Sequence, residues 1–329
     1  MATFKAYRIY QENRQIVGRF EQLTLDDLAA GDVVIRVSHS GINYKDALAA
    51  TGAGKILRKY PLVGGIDLAG IVETSADVRY APGDAVVVTG CDLSESHDGG
   101  YAEFARVKGD WVIPMPHGLD AFAAMAIGTA GFTAALAIHR MQHNGLTPAM
   151  GCVAVSGATG GVGSLAIDML SSLGFQTTAI TSKSASEGYL RSIGASEVLL
   201  RQSIEFGSKP LQNIQFGGAI DNLGGEMLSW LCGSVAFWGS VASIGLASSA
   251  ELHTTVLPFI LRGVNLLGVN SSATPRALRL AVWQRIATDL RPRHLDVIAK
   301  SVISFDELPG TFAQYIAGGV VGRTVVQIS

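Results

Sequence analysis

The stretch "SGATGGVGSLAIDMLSSLG", residues 156–174, decides how the chain is read. Gly157, Gly160, Gly161 and Gly163 fall between the apolar run "CVAVSG" (152–157) and an amphipathic segment that closes at Gly174. A strand, a glycine turn and a helix in that order let the backbone approach a pyrophosphate. The helix N-terminus then offers unpaired N–H groups and a positive dipole end to the anion. The spacing departs from strict GxGxxG because Ala158 and Thr159 precede Gly160, so the glycines alone also fit a tight structural turn. The context favours a dinucleotide. Strand and helix runs alternate beyond it, and no triphosphate-loop lysine follows the glycines.

Working outward, "QTTAITS" predicts the next strand, "ASEGYLRSIGA" a helix and "SEVLLR" a third strand. "GGAIDNLGG" and "GSVASIGLA" flank the helix "EMLSWLCGSVAF", and "LPFILRGVNLLGVN" (257–270) reads as helix then strand. Repeated βα units predict a parallel sheet with helices on both faces. An NAD site usually carries Asp or Glu at the end of its second strand. Here that position reads "TAITSKSAS", and the first carboxylate is Glu187, beyond the turn. Thr181, Ser182 and Lys183 offer hydroxyls and an ammonium where a 2′-phosphate sits, and Arg201 closes the third strand with a guanidinium. Either cation alone reads as a solvated charge; together, with the acid missing, they point to NADPH.

Upstream, "DVVIRVSHS" (32–40), "AGIVETS" (69–75), "DAVVVTG" (84–90) and "YAEFARV" (101–107) predict a β-rich first part. From about residue 121 the alanine-rich "AFAAMAIGTAGFTAALAIHRMQ" predicts buried helix. The tail carries an amphipathic helix near "ALRLAVWQRIATDL" and ends on the strand "RTVVQI". A formal net charge of −2 argues against nucleic acid and anionic membranes as partners. Three scattered cysteines, Cys91, Cys152 and Cys232, form neither a disulfide framework nor a CxxC site and fit a reducing cytosol. The opening "MATFKAYRIY" lacks the apolar core of a signal peptide. Met227 to Ala250 carries no charge, yet its recurring glycines and serines read as a buried helix and strand rather than a membrane span.

With these residues in view, the chain resembles the zinc-free branch of the medium-chain dehydrogenase/reductase superfamily. "HSGINYKDALAATG" (39–52), "YPLVGGIDLAGIV" (60–72), "GTAGFTAALAI" (128–138) and the glycine stretch appear in that family's order. Within the branch it is most similar to the bacterial acrylyl-CoA reductases, long grouped with quinone oxidoreductases. "GINYKD", "TPRALRLAVWQRIATDL" and "GRTVVQI" carry that closer likeness. The resemblance implies an α/β fold in which a GroES-like, β-rich catalytic domain (1–124, completed by 269–329) brackets a Rossmann NADPH-binding domain (125–268), with the active site in the cleft. It also implies cofactor contacts at Tyr44, at Thr159, Gly160, Gly161, Val162 and Gly163, at Thr181, Ser182, Lys183 and Arg201, and at Leu246, Ile260 and Ser271. A C-terminal contact maps to Gln314, where the acrylyl-CoA reductases carry Asn. Relatives commonly pair through the Rossmann domain, so a homodimer through the strand "VNLLGVN" (264–270) is expected.

Zinc-dependent relatives need a catalytic Cys and His and a four-cysteine lobe. "SGINYKD" has no cysteine, "GGIDLAG" has Asp67 in place of the usual His-Glu pair, and the lobe is absent. His139 and His143 stand at i, i+4 but lack a third ligand, so no metal is expected. Without zinc, reduction of an activated C=C bond is favoured over carbonyl–alcohol exchange. The negative charge that develops on a thioester oxygen then needs hydrogen-bond donors. Tyr44, a phenol that ordinarily stays protonated, is the first candidate; Asn43 is the second, with Lys45 and Asp46 as loop-holding neighbours. "KILRKY" (55–60) offers Lys55, Arg58 and Lys59 to the phosphates of a CoA substrate, and Arg323 is a further candidate. The expected reaction is NADPH-dependent reduction of acrylyl-CoA to propanoyl-CoA. The alternatives are an NADPH:quinone oxidoreductase and a non-catalytic NADPH-binding sensor.

Overall fold

The computed structural model describes residues 3–329. The chain forms two compact units: the first runs through Thr129 and takes in Ser272–Trp283 and Ala299–Ser329, and the second comprises Ala130–Ser271 and Gln284–Ile298. The tail is therefore shared, with Gln284–Ile298 grouping with the second unit.

The first unit is built on a seven-stranded sheet. Its order is Ser301–Ser304, Thr324–Gln327, Val33–Ile42, Asp67–Ser75, Ala85–Thr89, Ile113–Pro114, with Phe104–Val107 also paired to Val33–Ile42. The run Val33–Ile42 alternates enough to bury Val33, Ile35 and Val37 while Arg36 faces solvent. A smaller sheet joins Gln15–Leu23, Phe4–Glu12 and Leu62–Val63. Its hairpin turns at Asn13 and Arg14, both left-handed with φ of 49° and 67°. That is the geometry of a two-residue turn matched to the twist of paired strands. Val33–Ile42 feeds Asn43, which caps the helix Tyr44–Thr51; Gly52, at φ 73°, stops it.

The helix Ala121–His143 is long and apolar enough to cross a membrane by length and composition, but most of it is buried in the protein. Gly128 breaks it, with φ 51° and ψ −157°, a conformation essentially reserved for glycine.

In the second unit the strands are β1 (Val153–Ser156), β2 (Thr177–Thr181), β3 (Glu197–Leu200), β4 (Phe216–Asp221), β5 (Val235–Ser243) and β6 (Asn265–Gly268). They form one sheet in the order β3-β2-β1-β4-β5-β6, and every pairing is parallel. This is the doubly wound order of dinucleotide-binding sheets, whose ligands sit outside the carboxyl ends of the strands. The uncharged run from Met227 resolves into the buried helix Gly225–Ser234 and β5, where Val235 and residues 239–242 are buried while Phe237 and Trp238 stand exposed.

Candidate functional site

The glycine turn joins β1 to the helix Gly161–Ser172. Gly157 takes φ 58°, which turns the chain sharply at the strand end. A Cβ at position 163 would lie 2.5 Å from the Gly157 carbonyl oxygen and 2.7 Å from the Ala158 Cα, so only glycine lets the helix start this close to the turn. Gly160 is the N-cap and no side chain caps the helix, which leaves its first N–H groups for an anion. The turn is held from below. Ser156 Oγ donates to Asp221 Oδ1 at 2.6 Å and accepts from the Asn222 N–H at 2.9 Å, while Asn222 Nδ2 donates to the Ser156 carbonyl at 2.7 Å. Burial raises the Asp221 carboxyl, opposed by the bonds from Ser156 and the Gly224 N–H.

The acid-free end of β2 stands level with the end of β3, because Thr181 pairs with Leu200. Ser182 and Lys183 follow one strand and Arg201 the other, so the register brings these cations to neighbouring strand ends. Thr181 Oγ1 accepts from the Lys183 N–H at 3.0 Å, which shapes the turn, and Arg201 lies over the Phe206 ring at 5.5 Å. Partial burial lowers the Lys183 ammonium, a cost that an anionic partner offsets. Glu187, the first acid past the turn, is engaged with Arg191 on its own helix. Thr159 is buried, whereas Leu246 and Ile260 are exposed, at 67% and 68%. Ser271 closes the main segment of this unit.

In the first unit Tyr44, 46% exposed, opens its helix directly after Asn43, a member of a buried polar cluster. Asn43 Nδ2 donates to Asp67 Oδ2 at 2.8 Å and to Asp46 Oδ2 at 3.2 Å. Asn43 Oδ1 accepts from Arg323 Nη1 at 2.9 Å. Asp46 Oδ2 also accepts from the Asn43 N–H at 2.8 Å, and its Oδ1 from the Ile66 N–H at 2.9 Å. Asp67 accepts from the Thr129 N–H at 2.9 Å and from its hydroxyl at 2.5 Å. Burial, then the Asp67 charge, lifts the Asp46 carboxyl to about 7.

Two expectations change here. The Asn43 amide is committed at both ends within the protein, so it positions the Tyr44 turn rather than donating to a substrate carbonyl. Arg323 is 2% exposed. Its Nε donates to Ala126 O at 3.1 Å, Nη1 to Ile42 O at 2.9 Å and Nη2 to Met125 O at 3.2 Å. A guanidinium so occupied is a strut of the site and does not grip a substrate phosphate. Asp67, Thr129 and Gly128 were not among the expected site residues. The readable signal was Asp67, a charged residue inside the apolar run "GGIDLAGIV".

Arg58 and Lys59 are exposed on a loop of the first unit, and Gln314 is exposed on the helix Leu308–Ile316. Among the described residues no group of three or more His, Cys, Asp or Glu side chains is placed to hold a metal ion. His139 lies beside Arg285; the ring's burial, and then that guanidinium, lower the imidazole.

Residues 29–117 match the family described as alcohol dehydrogenase GroES-like domain. Over 320 residues the sequence is 45% identical to acrylyl-CoA reductase AcuI of Ruegeria pomeroyi, covering 97% of each. It is 43% identical to putative quinone oxidoreductase YhfP of Bacillus subtilis, covering 99% of each. The crystal structure of Bacillus subtilis protein yhfP with NAD bound superposes with a TM-score of 0.96 at 42% identity, covering 100% of each chain. The yhdH oxidoreductase from Salmonella enterica, in complex with NADP, also gives 0.96 at 42% identity, over 99% of this chain and 100% of that one.

Proposed function

Because the chain belongs to the medium-chain dehydrogenase/reductase superfamily, in the branch of the bacterial acrylyl-CoA reductases and their quinone-oxidoreductase-like relatives, we propose that it uses NADPH to reduce the C=C bond of acrylyl-CoA, giving propanoyl-CoA. The observation that carries this reading is the full-length likeness to an acrylyl-CoA reductase. The cofactor choice is supported by the level ends of β2 and β3, which present Ser182, Lys183 and Arg201 with no acid at the second strand's end. It is also supported by a relative solved with NADP, although another was solved with NAD.

The uncapped helix after Gly160 would hold the pyrophosphate, and Lys183 with Arg201 would hold the 2′-phosphate. Leu246, Ile260, Ser271 and Gln314 are assigned to further cofactor contacts by family likeness. When bound, NADPH supplies a hydride to the substrate β-carbon. The Tyr44 phenol donates to the thioester oxygen, where enolate charge develops, or to a ribose hydroxyl. The α-carbon then takes a proton from solvent water. Asn43, Asp46, Asp67 and Arg323 keep the Tyr44 turn in place. The oxygens of Asp67 are spent on Asn43 and Thr129, with Ile66 beside it, a donor set that suits metal-independent chemistry. We further propose a homodimer through the open outer edge of β6, and a reducing cytosol as the setting of its three free cysteines.

The test follows NADPH absorbance with acrylyl-CoA, free acrylate and a benzoquinone, with NADH as the control reductant. Rapid oxidation by acrylyl-CoA alone, and from NADPH alone, is the expected result. Preference for the quinone would overturn the thioester reading in favour of the activity named for YhfP. Cofactor binding with no turnover of any of the three would make the protein a sensor.

A further inference from the structure

Next to Tyr44 in sequence, the first unit carries a basic hollow of about 420 Å³, lined by Lys45, Lys55, Ile56, Leu57, Arg58 and Glu95. Its wall is fixed. Leu57 is buried in the core and Ile56 packs against the same cluster. The Gly54 N–H donates to Leu48 O at 3.3 Å, and the Arg58 N–H to Glu95 O at 2.7 Å. Glu95 is buried, and its carboxylate pairs with Lys45 and, at 3.5 Å, with Arg58. Among the described residues Lys55 has no carboxylate within ion-pair distance. Three cations thus meet one acid on a pinned, concave wall, in a chain whose net charge is −2. A solvated charge run is ordinarily balanced by neighbouring acids or spread over a mobile loop. Like charges confined here repel, and a polyanion relieves that repulsion.

We propose that this hollow takes the phosphates of a coenzyme A thioester, with Lys55 and Arg58 gripping the phosphoryl oxygens and Glu95 holding Lys45 against the wall. The inference rests on the acyl-CoA reading and deepens it by naming the anchor. Lys59 is exposed and does not line the hollow. The volume is that of a small-ligand site and suits the phosphorylated end of the substrate rather than all of it.

The test uses the full-length Lys55→Ala/Arg58→Ala variant and a charge-keeping Lys55→Arg/Arg58→Lys control. Calorimetry gives the Kd of free coenzyme A, and kinetics compare acrylyl-CoA with the N-acetylcysteamine thioester of acrylate, which has no phosphate. The alanine variant should weaken coenzyme A binding roughly tenfold or more, as expected for two lost charge-assisted contacts. KM for acrylyl-CoA should rise in step, with the loss confined to the phosphate-bearing substrate and restored in the control. An unchanged coenzyme A Kd overturns the subsite, and turnover of both thioesters would then leave the reductase reading standing. A weakened NADPH Kd in the variant also overturns it, because the hollow would then serve the cofactor. Coenzyme A binding that depends on Lys55 and Arg58, with no thioester turned over, supports the subsite and sinks the reductase.

Discussion

Arg323→Met tests how the Tyr44 turn is held. Arg323 and Asp67 are both buried, and Nη2 lies 3.8 Å from Asp67 Oδ2. At that separation, with an effective dielectric near ~20, the attraction is about 4 kcal/mol before desolvation. Methionine fills similar space without the charge, so Asp67 keeps its bonds from Asn43 and Thr129 but loses its buried counter-charge. Breaking a buried pair from one side costs about 3–5 kcal/mol. Asp67→Asn is the complementary change. The amide oxygen can replace Oδ2 for Asn43 and the Thr129 N–H, while the amide nitrogen donates to the Thr129 hydroxyl, so only the charge is lost. The double variant should therefore recover about 2 kcal/mol relative to the sum of the singles. Urea midpoints at neutral pH, read at constant slope, give the four corners of the cycle. Additivity within about 0.5 kcal/mol would refute the electrostatic reasoning and leave the carbonyl bonds of Arg323 as its whole role.

Lys183→Ala/Arg201→Ala should weaken NADPH binding about 10–100-fold and leave NADH unchanged, read by fluorescence titration of each cofactor; equal loss for both would remove the 2′-phosphate assignment. Asp46 sets a pH dependence. Its folded carboxyl titrates at about 7. The unfolded one titrates near ~4, so between the two the folded state holds the extra proton. Stability should therefore fall as pH rises from about 4 to 7 and then level, at no more than about 1.4 kcal/mol per pH unit. Asp46→Asn should flatten that arm in urea melts across pH. Tyr44→Phe should lower kcat for the thioester about 10–100-fold with NADPH affinity within about twofold; an unchanged kcat would assign the phenol to packing or the ribose.

The two halves of the candidate site differ in legibility because they are made by different kinds of contact. The nucleotide half is local. Gly157, Gly160, Gly161 and Gly163 act through backbone conformation within one turn, and the missing acid after β2 is an absence at a known offset. The alternation of apolar strands and amphipathic helices then dictates the parallel sheet. What the sequence could not display was the Thr181–Leu200 register, which brings residues eighteen or more positions apart to neighbouring strand ends. The N-terminal hairpin was missed for a related reason. Its left-handed turn residues are Asn13 and Arg14, and the arginine stands where glycine usually announces such a turn.

The other half rests on side chains that meet from distant segments. Arg323, in "GRTVVQI", reads as a candidate for a substrate phosphate because nothing local tells that its acceptors will be carbonyls at 42, 125 and 126. Gly128 lies within the alanine-rich run "AFAAMAIGTAGFTAALAIHRMQ", where no local pattern marks it out. A Cβ there would stand 2.6 Å from Arg323 Nη2 and 2.7 Å from Asp67 Oδ2, so its absence admits the pair. Asp67 sits in a strand too apolar to leave it solvated, and a buried carboxylate without partners costs several kcal/mol, on the order of ~3 or more. Partners were therefore required, and the chain supplies the Asn43 amide, the hydroxyl and backbone N–H of Thr129, and the Arg323 cation from elsewhere. Their convergence makes Asp67 the fixed point around which the Tyr44 turn is assembled.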